Sequence, residues 1–567
     1  MNKQLIMTTA TGAALLLTAC GGSNVKTNAA GLPQLGAATG ASLASCAELA
    51  TKINFANTTI TGANAIAAGT LTVAGKPVPA HCQVTGQMYK RTSTVDGKSY
   101  AIGFEMRLPN NWNGRFFYQA NGGVDGSVVP ATGPVGGGGP LDNALNQGFA
   151  VISADAGHGA PTPFFGLDPQ ARLDYGYQAV GKLTPMAKYI IETAYGKKPD
   201  RSYIGGCSNG GRHTMVAAAR YADQYDGFLV GNPGYRLPLA AIANIAGAKA
   251  YNSLATTPGD LSTGFTLAER KLVSDAVLAK CDELDGTADG LVQNTQACQA
   301  AFDLNRDVPT CSASRDGTCL SAAQKTTIGG LFAGATTATG TKIYSSFSYD
   351  AGLATGGWAS WKFNSSLNLD TGAVGLIWQA PPEDLATFNG PNFALNGDLA
   401  SMLAKVGATN ATYTESALSF MLPPNPSDLS ALRNRGAKIM VYHGASDPIF
   451  SSDDTTAWYN ALRTANGGDA SNFSRYFNVP GMNHCAGGPT ADQFDMLAPL
   501  VEWVERGKAP DSVLASVRGA GNAGGVNADL PANWTATRTR PLCPYPKTAK
   551  YKGGGSIEDA ANFSCES

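Results

Sequence analysis

Apolar positions along the chain fall into two rhythms. Residues 101–108 (AIGFEMRL) alternate apolar and polar, the period of a strand with one buried face. From residue 46 to about 118, short runs of this kind predict antiparallel strands. Further on, the apolar runs at 149–153, 202–204 and 227–233 are continuous, as expected of parallel strands covered on both faces. Helix-compatible stretches at 183–194 and 214–220 separate them. From about residue 234 to 428 this alternation gives way to helical pieces and loops. It returns with a strand at 437–443, a helix at 454–465, a strand at 474–479 and a helix at 492–507. A strand–helix pattern that stops and resumes predicts an α/β core (46–233 and 429–567) interrupted by an inserted lid domain (234–428).

The N-terminal residues follow neither rhythm. Lys3, a short apolar run at 13–19 and the ending Leu17-Thr18-Ala19-Cys20 predict a targeting segment over 1–20. The run is far below the roughly 20 residues that a membrane span needs. The ending resembles a bacterial lipobox, which would make Cys20 a lipidated N-terminus, with Gly21 favouring the outer membrane; the alternative is a signal that is simply cleaved. Residues 21–45, rich in Gly, Ala, Ser, Thr and Asn, read as a flexible tether. A net charge of −1 and 15% charged residues give no footing for a nucleic-acid partner, and membrane contact would come only through the lipid anchor. With Cys20 set aside, the 11 cysteines leave an even number in an exported chain, so five disulfides are expected. Spacing alone does not fix connectivity. Near neighbours suggest Cys46–Cys82, Cys281–Cys298, Cys311–Cys319 and Cys543–Cys565, which leaves Cys207 and Cys485.

Those two cysteines flank the candidate chemistry. Gly206-Cys207-Ser208-Asn209-Gly210 has the Gly-x-Ser-x-Gly pattern of a nucleophile elbow, with a strand pattern before it and a helix pattern after it. A serine hydroxyl needs a base oriented by an acid, and in an α/β-hydrolase these follow in the order Ser, Asp or Glu, His. Of five histidines, His81 and His158 precede Ser208, His213 sits on its outgoing helix and His443 lies inside a strand; only His484 follows on a loop. Asp447, just past the strand at 437–443, is the candidate acid, with Asp453 and Asp454 as competitors that more naturally open the next helix. The backbone N–H of Asn209 is a candidate oxyanion donor, and the turn 121–126 offers Gly123 as a second. If Ser208 and His484 meet, Cys207 and Cys485 must be close enough to bond. A thiol nucleophile at Cys207 is the rival reading, against which the even cysteine count stands.

The Gly206-Cys207-Ser208-x-Gly210-Gly211 motif, the distant acid and His484-Cys485 together resemble the tannase and feruloyl esterase family, over essentially residues 46–567. The resemblance agrees with the five pairings above and implies a serine carboxylic-ester hydrolase with an α/β-hydrolase core and a large lid. Residues 165–174, 479–485 and 540–546 resemble members that cleave a hydroxyethyl monoester of terephthalic acid; esters of ferulate or gallate are the alternative. It also implies a structural calcium ion in the lid, held by Asp282, Asp285 and Asp289 and by carbonyls of Thr287 and Leu291, a donor set suited to a hard cation. Trp361 and Phe450 match ring-contacting positions. The terephthalate enzymes carry a lid arginine for the substrate's free carboxylate. Here no arginine lies between Arg315 and Arg433, and Lys362 is the first candidate to replace it. A reading of another class is a non-catalytic envelope lipoprotein that binds aromatic compounds.

Overall fold

The computed structural model describes residues 31–567. The targeting segment and Cys20 lie outside the described residues. Nine strands form one mixed sheet: β1 (Thr58–Ile66), β2 (His81–Thr92), β3 (Ser99–Pro109), β4 (Arg115–Gln119), β5 (Ala150–Ala154), β6 (Arg201–Cys207), β7 (Gly227–Gly231), β8 (Lys438–Gly444) and β9 (Ser474–Val479). Their order across the sheet is β9-β8-β7-β6-β4-β5-β3-β2-β1. Pairing is antiparallel from β1 through β3 to β5 and parallel from β5 to β9. The two rhythms of the sequence match these two halves except at β4, which falls in the stretch expected to be antiparallel but pairs parallel with β5 and β6, because its strand is covered on both faces inside the sheet. β2 mixes buried, half-buried and exposed positions, whereas β5, β7 and β8 are buried throughout.

Helices α1 (Ala179–Tyr195), α2 (Asn209–Arg220), α3 (Leu237–Leu254), α4 (Ser452–Ala465) and α5 (Leu497–Arg506) set the rest of the frame. The residues between β7 and β8 contribute no strand to the large sheet and are mostly helical. One buried apolar cluster runs from Ile204 and Val441 in the sheet through Ile242 of α3 to Trp358 and Trp378 of the insertion. A second covers the opposite face, with Tyr203, Leu229 and Met440 against Leu500 and Trp503 of α5. The insertion thus shares its core with the sheet.

Two further expectations are corrected. Residues 31–45 are not a free tether: Gln34 Nε2 donates to the Val504 carbonyl at 2.8 Å, the Thr39 N–H donates to Asp200 at 2.8 Å, and Ala41–Ser42 pair with Asn111–Trp112. Small and polar residues lack a hydrophobic period but can still satisfy their backbone along a neighbouring surface. The last helix begins at Leu497 rather than 492, because Asp495 accepts from the N–H groups of Leu497 and Ala498 and so caps its start. All five expected disulfides form. They suit an oxidising, extracellular or periplasmic compartment. Among the described residues no helix is long and apolar enough to cross a membrane.

Candidate active site

The site gathers at the C-terminal ends of β6, β7 and β8, where loops leave a parallel sheet. Ser208 caps α2 with φ 66° and ψ −127°, a conformation uncommon for a residue with a Cβ. Its N–H bonds to the Gly231 carbonyl at 3.0 Å, so the strained residue is fixed between β6 and β7. The turn needs the flanking glycines: a Cβ on Gly206 would stand 2.1 Å from the Ala120 carbonyl oxygen, and one on Gly210 2.3 Å from the same atom.

Three side chains form a chain of hydrogen bonds. Ser208 Oγ lies 2.8 Å from His484 Nε2, and His484 Nδ1 lies 2.8 Å from Asp447 Oδ2. An Nδ1–H donating to the carboxylate leaves Nε2 free to accept the serine proton. Asp447 is fully buried, which by itself raises a carboxyl pKa. The charge of His484 and the hydrogen bonds from His443 and His484 more than offset this and hold it well below the usual carboxylate range. The N–H groups of Ile449 and Phe450 donate to its other oxygen at 3.0 and 3.1 Å. Asp453 and Asp454 point elsewhere, to the Ser346 and Ser348 hydroxyls and to Arg236.

The bond between Cys207 and Cys485 closes a separation of 278 residues directly beside this triad. It leaves no free thiol at Cys207, so the thiol-nucleophile reading falls. Cys485 has φ 65°, a strained value that fixes the direction of the His484 loop. Asn209, as the first residue of α2, has a backbone N–H without an intrahelical partner. Gly123 and Asn209 line the same cavity as Ser208, together with Trp361 and Phe450. The rings of Trp361 and Phe450 stand edge-on to His484, with centroids at 4.9 and 5.1 Å.

Several residues of the site had no motif to announce them. Asn232, at the end of β7, donates to Asp447 Oδ2 at 2.8 Å. The Asn209 amide is clamped: its Nδ2 donates to Asp125 at 2.9 Å and its Oδ1 accepts from Arg212 at 2.6 Å. Asp125 in turn meets His213 at 2.9 Å. This buried group ties the turn carrying Gly123 to the start of α2. Only the presence of charged residues beside the Gly-rich turn and the elbow could have hinted at it. Lys362 does not line the cavity. Its ammonium donates to the Pro448 carbonyl at 2.6 Å and sits over the Phe347 ring.

In the segment 282–291, Asp282 accepts from the N–H groups of Asp289 and Gly290, and Asp289 accepts from Arg540 Nε at 3.0 Å. Asp285 Oδ2 is buried with no partner. Burial, then the neighbouring Asp289 and Asp282 charges, push the Asp285 carboxyl up to about 8. Among the described residues no group of three His, Cys, Asp or Glu side chains has metal-holding geometry. The orphaned oxygen and the crowded carboxylates nevertheless fit a hard cation, for which loop carbonyls complete the shell.

A model of the family described as tannase and feruloyl esterase matches residues 82–566. The mono(2-hydroxyethyl) terephthalate hydrolase of Piscinibacter sakaiensis is 40% identical over 535 residues, covering 87% of this chain and 86% of the relative. Among solved structures, feruloyl esterase B from Aspergillus oryzae superposes with a TM-score of 0.71 at 23% identity, over 92% of this chain and 99% of that one. The tannin acyl hydrolase from Aspergillus niger gives 0.63 at 18% identity, over 94% and 96%. These two likenesses speak for the fold alone.

Proposed function

The chain belongs to the tannase and feruloyl esterase family and is a carboxylic-ester hydrolase, and from that premise we propose that Ser208, His484 and Asp447 are its catalytic triad and act on esters of aromatic acids. In this reading Ser208 Oγ attacks the ester carbonyl as His484 Nε2 takes its proton. The tetrahedral oxygen accepts hydrogen bonds from the N–H groups of Gly123 and Asn209, each contributing about 10²–10³ in rate. His484 returns the proton to the departing alcohol, and a water deprotonated by the same imidazole releases the acid. Asp447 fixes the tautomer and balances the imidazolium charge. The observation that carries the proposal is the unbroken Ser208–His484–Asp447 hydrogen-bond chain beside a cavity walled by Trp361, Trp378 and Phe450.

The relative at 40% identity makes the hydroxyethyl monoester of terephthalate the first substrate to test. A second reading, ferulate- or gallate-type phenolic esters, is favoured by the cavity wall, which includes no lysine or arginine to meet a free carboxylate. We propose residues 234–428 as the lid, since Trp361, Asp370 and Trp378 of that segment cover the cavity. Asp282, Asp285 and Asp289, with carbonyls of Thr287 and Leu291, are proposed to hold a structural Ca²⁺; the buried, partnerless Asp285 oxygen beside the Asp289 and Asp282 charges is what supports this. Lipidation at Cys20 remains the proposal for the mature N-terminus.

The test is initial-rate hydrolysis of mono(2-hydroxyethyl) terephthalate, methyl ferulate and methyl gallate, with Ser208→Ala as control, alongside fluorophosphonate labelling. Wild-type turnover of at least one ester and labelling lost in Ser208→Ala are expected. No turnover above the Ser208→Ala level on any of the three would overturn the proposal.

A further inference from the structure

Asp370 is the only side chain of formal charge among the residues lining the cavity beside Ser208. It lies in the first turn of the short helix Leu369–Gly372, directly before the helical turn Ala373–Trp378. It is 3% exposed, so water does little to stabilise its charge. Its support is thin for a buried carboxylate: the Ser365 hydroxyl at 3.4 Å and the Asn244 amide. Lys362 lends it positive charge through space, but makes no ion pair with it, its ammonium donating to the Pro448 carbonyl instead. Trp378 lines the same cavity, is also buried, and its indole N–H has no partner. The cavity lining therefore includes one under-supported acceptor and one unused donor, both from the segment between β7 and β8.

We propose that Asp370, aided by the Trp378 indole N–H, is a specificity-determining residue that selects an uncharged hydroxyl on the acyl ring and rejects a carboxylate there. The proposal rests on the aromatic-ester reading given above. A hydroxyl both donates and accepts, so it can give its proton to an ionised Asp370 and take one from Trp378. It is matched equally by a protonated Asp370, which then donates. A ring carboxylate has only acceptors and a negative charge, so it faces an ionised Asp370 across a site of low dielectric, and no lysine or arginine lines the cavity to bridge them. A site built to pair with a substrate hydroxyl also discriminates against the bare ring, because the protein's own polar groups are then left unpaired. The competing view is that Asp370 serves only as a counter-charge for Lys362. In that case its removal would affect all substrates alike.

The experiment uses three esters with the same alcohol: the 2-hydroxyethyl esters of 4-hydroxybenzoate and benzoate, and the monoester of terephthalate. At pH 8, wild-type kcat/KM is expected to fall in that order, with at least tenfold between hydroxyl and carboxylate. Asp370→Asn should compress that ratio about tenfold, mainly by raising the terephthalate value. Ser208→Ala should remain inactive on all three. A wild-type enzyme that prefers the terephthalate monoester to the benzoate ester overturns the proposal without any variant being needed. So does an Asp370→Asn enzyme whose three rates fall by one common factor. If none of the three is cleaved while Ser208 still reacts with a fluorophosphonate, the aromatic-ester premise itself fails. If the benzoate ester is cleaved and the substituents make no difference, the premise stands and only the Asp370 assignment is lost.

Discussion

Removing the Cys207–Cys485 bond should damage stability and catalysis together. The bond spans 278 residues, whereas Cys311–Cys319 spans 8. Chain entropy scales with the logarithm of loop length, which puts the long bridge at an upper figure of about 5–6 kcal/mol and the short one at about 2.5 kcal/mol. The paired variant Cys207→Ala/Cys485→Ala should therefore lose about 3 kcal/mol more than Cys311→Ala/Cys319→Ala. The catalytic effect has a separate origin. Ser208 and His484 meet at 2.8 Å although 276 residues separate them, and each adjoins one of the bonded cysteines. Residue 485 stands at φ 65°, and without the bond an alanine there is free to relax to negative φ and swing His484 away. A displacement near 1 Å costs up to about 10² in rate, so kcat should fall by tenfold or more while KM changes little. Denaturant unfolding of both paired variants, with kcat on one aromatic ester, measures the two effects. Equal loss of stability in the two pairs, or an unchanged kcat in the long-bridge variant, would refute the reasoning.

Asp447→Asn should keep the fold but lower kcat by about 10³–10⁴, because an amide no longer enforces the Nδ1–H tautomer of His484; a loss below tenfold would argue that another group orients the base. Chelation should lower the denaturation midpoint without changing kcat at a temperature where the protein stays folded, and a midpoint indifferent to added Ca²⁺ would sink the lid-calcium proposal. Asp285 gives that test a sign. Its carboxyl is pushed up to about 8, so in metal-free protein folding is penalised increasingly as pH rises above the ordinary carboxylate value. Asp285→Asn should therefore stabilise the metal-free protein at pH 7.5 and destabilise the Ca²⁺-loaded one. Asp370, raised by burial to about 7, faces Lys362, which burial lowers to about 8. Between pH 5.5 and 7.5 Asp370 gains its charge while Lys362 keeps most of its own. The kcat/KM ratio of the hydroxybenzoate ester to the terephthalate monoester should then rise with pH. Titration of the shared triad cancels in that ratio, and a flat profile would count against an ionising group in the acyl pocket.

The sequence determined what could be read within a few residues of itself. The two apolar rhythms announced the sheet and its division into antiparallel and parallel parts, β4 excepted, because side-chain period and burial on one or both faces are local properties, whereas the strands that flank β4 are set by the fold. The elbow glycines announced Ser208, since the tight turn beside the Ala120 carbonyl excludes any side chain at Gly206 and Gly210. His484 and Asp447 were reachable by order and elimination, and the bond of Cys207 to Cys485 followed from their meeting. Tertiary structure decided what depends on groups far apart in sequence. Residues 31–45 look like a tether by composition, yet they find partners in Val504 and Asp200. Lys362 was a reasonable replacement for a missing arginine until its ammonium was seen to be taken by Pro448. Asn232, the Asp125–Asn209–Arg212 clamp and the position of Asp370 in the acyl pocket carry no motif at all. A polar residue in a helix or loop acquires a role only from the buried surroundings that the fold assembles around it. Those surroundings set its partners, its charge and the group it can recognise.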